Sequence, residues 1–293
     1  MDRTDTTSVP TGIALYTLAA HRASKEVIYS YSTSFGAATK LLPKNLRHHI
    51  ENIYAMVRVA DEIVDGSAKE AGVRDPEAEL NAFEAETYRA MATGFSTNLI
   101  LHSFGVSARE VGIDKDIVEP FFYSMRQDLS ETEHTQDSFE KYVYGSAEVV
   151  GLMCLAAFVE GHSYTKEQKT TLVTGARALG AAFQKVNFLR DLAADFKKLG
   201  RSYFPGVNVE SFDEETKLRL VIDIRKDLEQ SAKTLPLLDP AARRAVTAAQ
   251  LLFQELNEKI ANTSASELIS TRISVSNSKK LFLLIKSYLG AKP

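Results

Sequence analysis

The chain has 293 residues, of which 44% are hydrophobic and 25% are charged, and its formal net charge is -3. This composition is typical of one enzyme-sized globular domain with a large core, and the weak charge argues against a nucleic-acid-binding protein. The single cysteine, Cys154, excludes an internal disulfide and indicates a packed thiol in a reducing compartment.

Helical periodicity dominates the chain, and glycine and proline fall mostly between the periodic segments. Residues 1–19 are predicted to form a flexible N-terminus, and residues 65–75 a mobile loop. No repeat or linker divides the chain, which predicts a single domain over residues 1–293, an all-α helical bundle with a central cavity. The helices are predicted at about 20–38, 44–65, 76–92, 96–110, 114–129, 137–160, 165–199, 211–234, 239–262 and 278–290.

Two short helical segments, RVADEIVD and NFLRDLAAD, carry the most informative pattern. The first contains Asp61 and Asp65 and the second contains Asp191 and Asp195, so each segment places two carboxylates on one face of a helix. The neighbouring residues are apolar, which predicts that both helices are buried. Two carboxylates about 6 Å apart repel by about 3 kcal/mol at an effective dielectric constant near 20. A cation must therefore neutralise them.

Carboxylate oxygens without cysteine or histidine ligands suit Mg²⁺, which keeps coordination positions for phosphate oxygens. The two segments are therefore predicted to bind a diphosphate through metal ions. The alternative is that the aspartates are surface acids of amphipathic helices, which is the usual interpretation of one such pair. Two pairs, each preceded by an arginine and each in apolar surroundings, favour the metal site.

At these segments the chain resembles the squalene/phytoene synthase family of head-to-head prenyl diphosphate synthases. The sequences of its motifs look most like those of the bacterial phytoene synthases. Tyr31, Glu148 and Ala194 stand where the family commonly has His, Gly and a second acid, and none of these departures removes an aspartate. The resemblance is carried by YSTSF at 31–35, LLP at 41–43, IYAMVRVADEIVD at 53–65, YVYGSAEVVG at 142–151, GAAFQKVNFLRDLAAD at 180–195 and GRSYFP at 200–205.

The resemblance implies the isoprenoid synthase fold, with two facing aspartate-rich helices. It also implies phytoene synthase activity, in which two geranylgeranyl diphosphates condense head to head through a cyclopropyl (prephytoene) diphosphate in carotenoid biosynthesis. The alternative is a squalene or dehydrosqualene synthase that uses farnesyl diphosphate. A third hypothesis, a non-catalytic helical interaction protein, conflicts with the intact aspartates. No NADPH is expected for phytoene formation.

Roles for individual residues are predicted from this resemblance and from the chemistry of their side chains. Arginines pair with diphosphate oxygens in planar forks, and aromatic faces stabilise a carbocation. The predicted ligands of Mg²⁺, or of Mn²⁺ in its place, are Asp61, Glu62, Asp65, Asp191 and Asp195. The predicted catalytic residues are Tyr54, Arg58, Tyr142 and Arg190. The predicted substrate-binding residues are Ser32, Ser34, Phe35, Gln184, Asn187, Arg201 and Tyr203.

Small residues along 149–159 and 172–183 are predicted to leave room for a prenyl chain, with Ala157 or Ala178 at the pocket floor. The longest apolar run, Val149 to Val159, is too short to span a bilayer. The C-terminal segment SKKLFLLIKSYL mixes basic and apolar residues as an interfacial helix does, although a last helix packed on the core with its lysines outward gives the same pattern. We therefore expect a cytoplasmic protein with peripheral contact to the inner face of the membrane. Its expected partners are prenyl diphosphates and downstream carotenoid enzymes.

Overall fold

The computed structural model describes residues 10–131, 133–199, 203–208, 211–291 and 293, and within 193–199 it describes the backbone alone. The described residues form helices and contain no β-strand, which confirms the all-α prediction. A π-helical segment, Tyr144–Glu148, joins α8 to α9, and a short 3₁₀ turn, Leu235–Leu237, precedes α12. The α-helices are α1 Gly12–Tyr31, α2 Thr33–Thr39, α3 Lys44–Val64, α4 Ser67–Glu70, α5 Pro76–Thr93, α6 Leu99–Val111, α7 Lys115–Ser130, α8 Gln136–Val143, α9 Val149–Val159, α10 Lys166–Leu199, α11 Glu214–Ala232, α12 Pro240–Asn262, α13 Ala265–Leu268 and α14 Asn277–Tyr288.

The prediction of a flexible N-terminus through residue 19 is wrong for the described part of that segment, because α1 begins at Gly12. The Tyr16 hydroxyl donates to the Ser96 carbonyl at 2.9 Å, and the Tyr16 ring packs edge-on against His102. These contacts join α1 to residues about 80 positions later in the chain. No local sequence pattern therefore predicts them. The first turns of α1 are thus held by long-range packing.

Polar side chains at the helix starts explain several boundaries. The predicted helix at 20–38 is two helices, because Ser32 is extended and its hydroxyl accepts a hydrogen bond from the Phe35 N–H at 3.1 Å. Asp75 and Asn98 cap α5 and α6 in the same way. The break at Ser32 turns α2 toward the centre of the bundle, where Phe35 contacts aromatic rings of α10 and α12.

Two large hydrophobic clusters flank the centre of the bundle. One packs the apolar faces of α3, α5, α6, α7 and α9 together, with Met56 and Phe121 fully buried. The other joins α8, α10, α11 and α12, with Val186 and Ile260 fully buried. Because α3 and α10 each bury one face in a different cluster, their remaining faces are free to line the space between the clusters.

One helical run, Gln136–Val159, is long and apolar enough to cross a membrane by length and composition. It is longer than the apolar run noted in the sequence because α8, the π segment and α9 are continuous. Val149 and Met153 within it are fully buried in the cluster around α3. A core helix gives the same signal, and this run packs as one.

Gly145 lets the π segment pack directly on α7. A Cβ atom at this position would lie 2.1 Å from the Pro120 carbonyl oxygen and 2.2 Å from the Ser124 hydroxyl. The Ser124 hydroxyl also donates to the Tyr142 carbonyl at 3.1 Å. A π segment inserts an extra residue into a helix, and here it sits between Tyr142 and the cavity-lining face of α9.

Gly145→Ala should lower the free energy of unfolding by about 2 kcal/mol, because the clash is with backbone that cannot move without shifting α7. Gly36→Ala is a matched control. Its nearest neighbour is the Tyr29 ring, at 2.8 Å, which can rotate, and alanine gains about 1 kcal/mol in helix propensity. Urea unfolding followed by circular dichroism should separate the two variants. Equal stabilities would contradict the close packing of the π segment on α7.

Candidate active site

The centre of the bundle holds an apolar cavity of about 280 Å³. Its wall comes from α2, α3, α9, α10 and α12 and is almost wholly aliphatic or aromatic. Along α10 the lining runs from Asn187 to Leu172, and 187 minus 172 is 15 residues, or about 22 Å of helix. The cavity is therefore long and narrow.

The prediction that Ala157 or Ala178 forms the pocket floor is wrong, because neither lines the cavity. Ala157 is fully buried on the opposite face of α9, in the cluster around α3. The lining face of α9 contains Cys154 and Phe158, and that of α10 contains Ala176. The sequence could not show which face of a helix that is apolar all round turns inward.

A polar cavity of about 510 Å³ adjoins the apolar one. It is lined by Arg58 and Asp61 of α3, Arg190 of α10, and Arg272 and Lys280 from the C-terminal part of the chain. The two cavities have a continuous wall, since six residues line both: Phe35, Tyr54, Val57, Ser146, Gln184 and Asn187.

The acidic end of α3 is organised by Arg58. Its guanidinium pairs with Asp61 at 2.7 Å and with Glu62, and it stacks on the Tyr31 ring at 4.4 Å. The other Glu62 oxygen accepts hydrogen bonds from the Ser67 N–H, at 2.9 Å, and from the Ser67 hydroxyl. Glu62 therefore ties the predicted mobile loop to α3, while Asp61 lines the polar cavity.

The acidic part of α10 is paired with two arginines. Arg190 Nε lies 3.1 Å from both oxygens of Asp191, and Arg272 Nε lies 2.7 Å from Asp191 Oδ1. Burial alone would raise the pKa of Asp191, but the two guanidinium groups outweigh it and hold the pKa below its ordinary value. Asp195 belongs to the same helix, but its side chain lies outside the described part of the chain, as does all of Arg201.

Tyr142 lies in the wall of the polar cavity between a carboxylate and an aromatic stack. Its hydroxyl donates to Asp128 Oδ1 at 2.8 Å. Burial, followed by the negative charge of Asp128, raises the pKa of Tyr142 well above its ordinary value, and Asp65 adds to the shift. Tyr203 stacks on Phe188 at 4.1 Å and on Tyr142 at 5.6 Å. Tyr203 is not among the residues that line the two cavities, and its role in substrate binding stays a prediction.

Three buried polar atoms in the wall of the polar cavity have no hydrogen-bond partner within the described part of the chain: Arg58 Nε, Ser146 Oγ and Asn187 Oδ1. A buried polar group left without a partner costs about 1–3 kcal/mol. Donors and acceptors of this kind, beside aspartate oxygens, suit a hard cation and phosphate oxygens as ligands. The residues present therefore fit a metal-bound diphosphate.

The structure brings most of the sequence-predicted residues together and adds several that the sequence did not indicate. The predicted residues that line the polar cavity are Tyr54, Arg58, Tyr142, Arg190, Asp61, Ser32, Ser34, Phe35, Gln184 and Asn187. The additions are Asp128, Arg272 and Lys280. Arg272 lies 81 residues from its partner Asp191 in a segment without helical periodicity, so no sequence pattern pointed to it.

The model of the squalene/phytoene synthase family matches residues 28–279. The chain belongs to this family. A 15-cis-phytoene synthase from Paracoccus sp. (strain N81106 / MBIC 01143) is 28% identical over 280 residues, covering 89% of this chain and 88% of that protein. A 15-cis-phytoene synthase from Pantoea ananas is 25% identical over 279 residues, covering 87% and 86%.

Solved structures agree in fold. A dehydrosqualene synthase in complex with ligand superposes with a TM-score of 0.77 at 22% identity and covers 94% of this chain and 98% of its own. A squalene synthase from Alicyclobacillus acidocaldarius gives 0.72 at 19% identity, with 87% and 96% covered. The predicted isoprenoid synthase fold and family are thus confirmed. As a squalene/phytoene synthase family member the protein is a prenyltransferase, and the family uses a divalent metal ion to ionise prenyl diphosphates.

Proposed function

We propose that the protein is a phytoene synthase that condenses two geranylgeranyl diphosphates head to head through a cyclopropyl (prephytoene) diphosphate, with Mg²⁺ as the metal. The observation that carries the proposal is the shared wall between an arginine- and aspartate-lined cavity and a long apolar cavity. This arrangement suits a substrate with a charged head and a long hydrocarbon tail. The curated relatives described above are phytoene synthases of similar length.

Guanidinium groups lie ready to receive the diphosphate. Arg58, Arg190 and Arg272 line the polar cavity, and planar forks of this kind pair with phosphate oxygens. Metal ions bound at Asp61, Asp65, Asp191 and Asp195 would stabilise the negative charge of the leaving group. The arginines hold the diphosphate at the mouth of the apolar cavity, so the tail extends inward and water is excluded from the allylic carbons.

Aromatic side chains are placed where positive charge develops. Phe35 and Tyr54 line both cavities, and Phe183 lies beside them with its ring 5.4 Å from that of Phe35. Their faces stabilise an allylic cation. Tyr142 keeps its proton at neutral pH, because a phenol ordinarily has a pKa near 10 and burial raises the pKa of Tyr142 further, so it acts as a hydrogen-bond donor. The proton lost in the last step then passes to the released diphosphate.

A farnesyl-using squalene or dehydrosqualene synthase is the second candidate, and the likeness in fold to solved enzymes of that type favours it. The polar cavity would serve both reactions equally, because the reacting ends of the two substrates are the same. Only the length of the apolar cavity separates them. Phytoene formation involves no reduction, so the proposed reaction needs no NADPH.

We also propose that the protein works in the cytoplasm at the inner face of the membrane, where downstream carotenoid enzymes take up its product. Helix α14 buries Leu283 and Ser287 against the bundle but exposes Phe282, and Leu289, which directly follows the helix, is 77% exposed. The same helix contributes Lys280 to the polar cavity, where it donates to Thr33 Oγ1 at 2.9 Å. An apolar surface beside the active site suits delivery of a lipid substrate.

Asp61→Asn and Asp191→Asn should each lower kcat at least about a hundredfold, as expected when a group that stabilises transition-state charge is lost. The fold should persist, because the arginines left behind lie at a polar cavity. Asp137→Asn is the control, since Asp137 is exposed and pairs only locally with Lys141. Product formation from labelled geranylgeranyl diphosphate with Mg²⁺, together with thermal melts, tests this. Full turnover by either site variant would reject the metal assignment.

Ala176→Phe should shift the ratio of kcat/KM toward farnesyl diphosphate, because Ala176 lines the apolar cavity and a phenyl ring there shortens it. One methylene contributes only about 0.8 kcal/mol, so the preference for the longer substrate depends mainly on steric limits. Ala178→Phe is the matched control on the same helix, outside the lining. Assays with both substrates measure the ratio. A wild-type enzyme that already prefers farnesyl diphosphate would replace the phytoene assignment with the second candidate.

The double variant Phe282→Ser with Leu289→Ser should reduce binding to anionic vesicles, because it removes exposed apolar area from α14 and from the residue that follows it. The control is Leu218→Ser with Ile222→Ser, a pair on α11 that is exposed by 46% and 48%. Co-sedimentation at low and high salt measures binding, which should weaken as salt rises. If the wild-type protein stays in the supernatant at low salt, membrane contact through α14 is excluded.

A further inference from the structure

Ser146 lies at the boundary between the polar and the apolar cavity and lines both of them. It belongs to the π segment and is only 9% exposed. Its Oγ atom has no hydrogen-bond partner among the described residues. A buried hydroxyl group without a partner is unfavourable in the free protein. This one therefore indicates that a polar atom of a ligand lies at the boundary.

The backbone that carries Ser146 is fixed on both sides. On one side Gly145 lies against the backbone of α7, as described above. On the other side, a Cβ atom at Gly180 of α10 would lie 2.4 Å from the Ala147 carbonyl oxygen, so α10 also packs directly on the backbone of the π segment. Short π-helical insertions are frequent at functional sites. This one holds a hydroxyl group at a fixed place between two helices.

The place of Ser146 identifies the ligand atom that it can contact. A prenyl diphosphate with its head in the polar cavity and its tail in the apolar cavity has its reacting carbon–oxygen bond at the boundary. Of the two atoms of that bond, only the ester oxygen can accept a hydrogen bond. Phe35 and Val57 line the same boundary, but their side chains have no donor. The Ser146 hydroxyl has one.

We propose that Ser146 is a further catalytic residue, whose hydroxyl donates a hydrogen bond to the ester oxygen of the prenyl diphosphate that ionises. This inference rests on the proposed function. When the carbon–oxygen bond breaks, its electron pair stays on the diphosphate oxygen and an allylic cation remains, while Ser146 keeps its proton.

The proposed hydrogen bond acts mainly in the transition state. Negative charge on the ester oxygen grows as the carbon–oxygen bond breaks, and hydrogen bonds to charged acceptors are stronger than those to neutral ones. An interaction that is stronger in the transition state than in the bound substrate raises kcat. Loss of the Ser146 hydroxyl should therefore lower kcat and leave KM nearly unchanged.

Ser146→Ala tests the proposal in the full-length protein with Mg²⁺. The assay measures release of inorganic pyrophosphate from geranylgeranyl diphosphate and, separately, from farnesyl diphosphate. We expect kcat to fall about ten- to a hundredfold, the range for one hydrogen bond to a charged group, with KM changed by less than about threefold. The Tm should not fall, because the hydroxyl has no partner to lose among the described residues.

Ser146→Thr and Ser146→Val separate the hydroxyl from the shape of the side chain, because the two new side chains are similar in shape and only the first has a hydroxyl donor. The kcat of Ser146→Thr should exceed that of Ser146→Val by about tenfold or more.

Ser103→Ala is the matched control, because Ser103 is a fully buried serine of α6 that lines neither cavity. Its hydroxyl lies 2.7 Å from Ser24 Oγ and donates to the Ile100 carbonyl at 2.9 Å. This variant should show the opposite pattern, a lower Tm with an unchanged kcat.

A wild-type kcat in Ser146→Ala, a loss confined to KM or to Tm, or equal kcat values for Ser146→Thr and Ser146→Val would overturn the role of Ser146. Failure of the proposed function gives a different result, in which the wild-type protein turns over farnesyl diphosphate alone. The effect of Ser146→Ala is then measured on that substrate, which has the same reacting bond. A wild-type protein that releases no pyrophosphate from either substrate would overturn both.

Discussion

Neutralisation of two half-buried carboxylates is the constraint on which the rest of the structure depends. Asp61 and Asp191 lie on helices whose other faces are packed in separate hydrophobic clusters, so neither charge can turn away from the centre of the bundle. Arg58 neutralises the first, and Arg190 with Arg272 neutralises the second. The same guanidinium groups suit phosphate oxygens. Substrate binding can therefore exchange one set of ion pairs for another without leaving a half-buried charge unpaired.

This constraint also divides the central space into a polar cavity and an apolar cavity. Charged residues line the central space at one end of α3 and α10, and apart from Tyr54, Gln184 and Asn187 the other lining positions on both helices are apolar. Phe35, Tyr54 and Ser146 form part of the boundary, because they line both cavities. Ser146 reaches it through the π segment, which is held on α7 at Gly145. The reacting carbons of an amphiphilic substrate would lie at this boundary, between charge on one side and hydrocarbon on the other.

Local patterns predicted the local parts of this arrangement. The helices expected at 44–65 and 165–199 are Lys44–Val64 and Lys166–Leu199, because long periodic runs determine helices well. Spacing within one helix likewise placed Arg58 beside Asp61. Contacts between distant segments left no such pattern: Arg272 reaches Asp191 from a segment without periodicity, and Asp128 meets Tyr142 across two helices. The sequence also could not show which face of α9 points inward, since nearly every position on that helix is apolar.

The apolar cavity also determines where the product can go. Under the proposed reaction, two twenty-carbon chains become one uncharged hydrocarbon of forty carbons, which no longer carries the diphosphate groups that the arginines held. At about 0.8 kcal/mol for each buried methylene, transfer of such a molecule into water would cost on the order of 30 kcal/mol. Diffusion into the aqueous phase is thus excluded on any useful timescale. Turnover requires an apolar acceptor at the mouth of the cavity, and the rate of product extraction then depends on what the protein touches as much as on its chemistry.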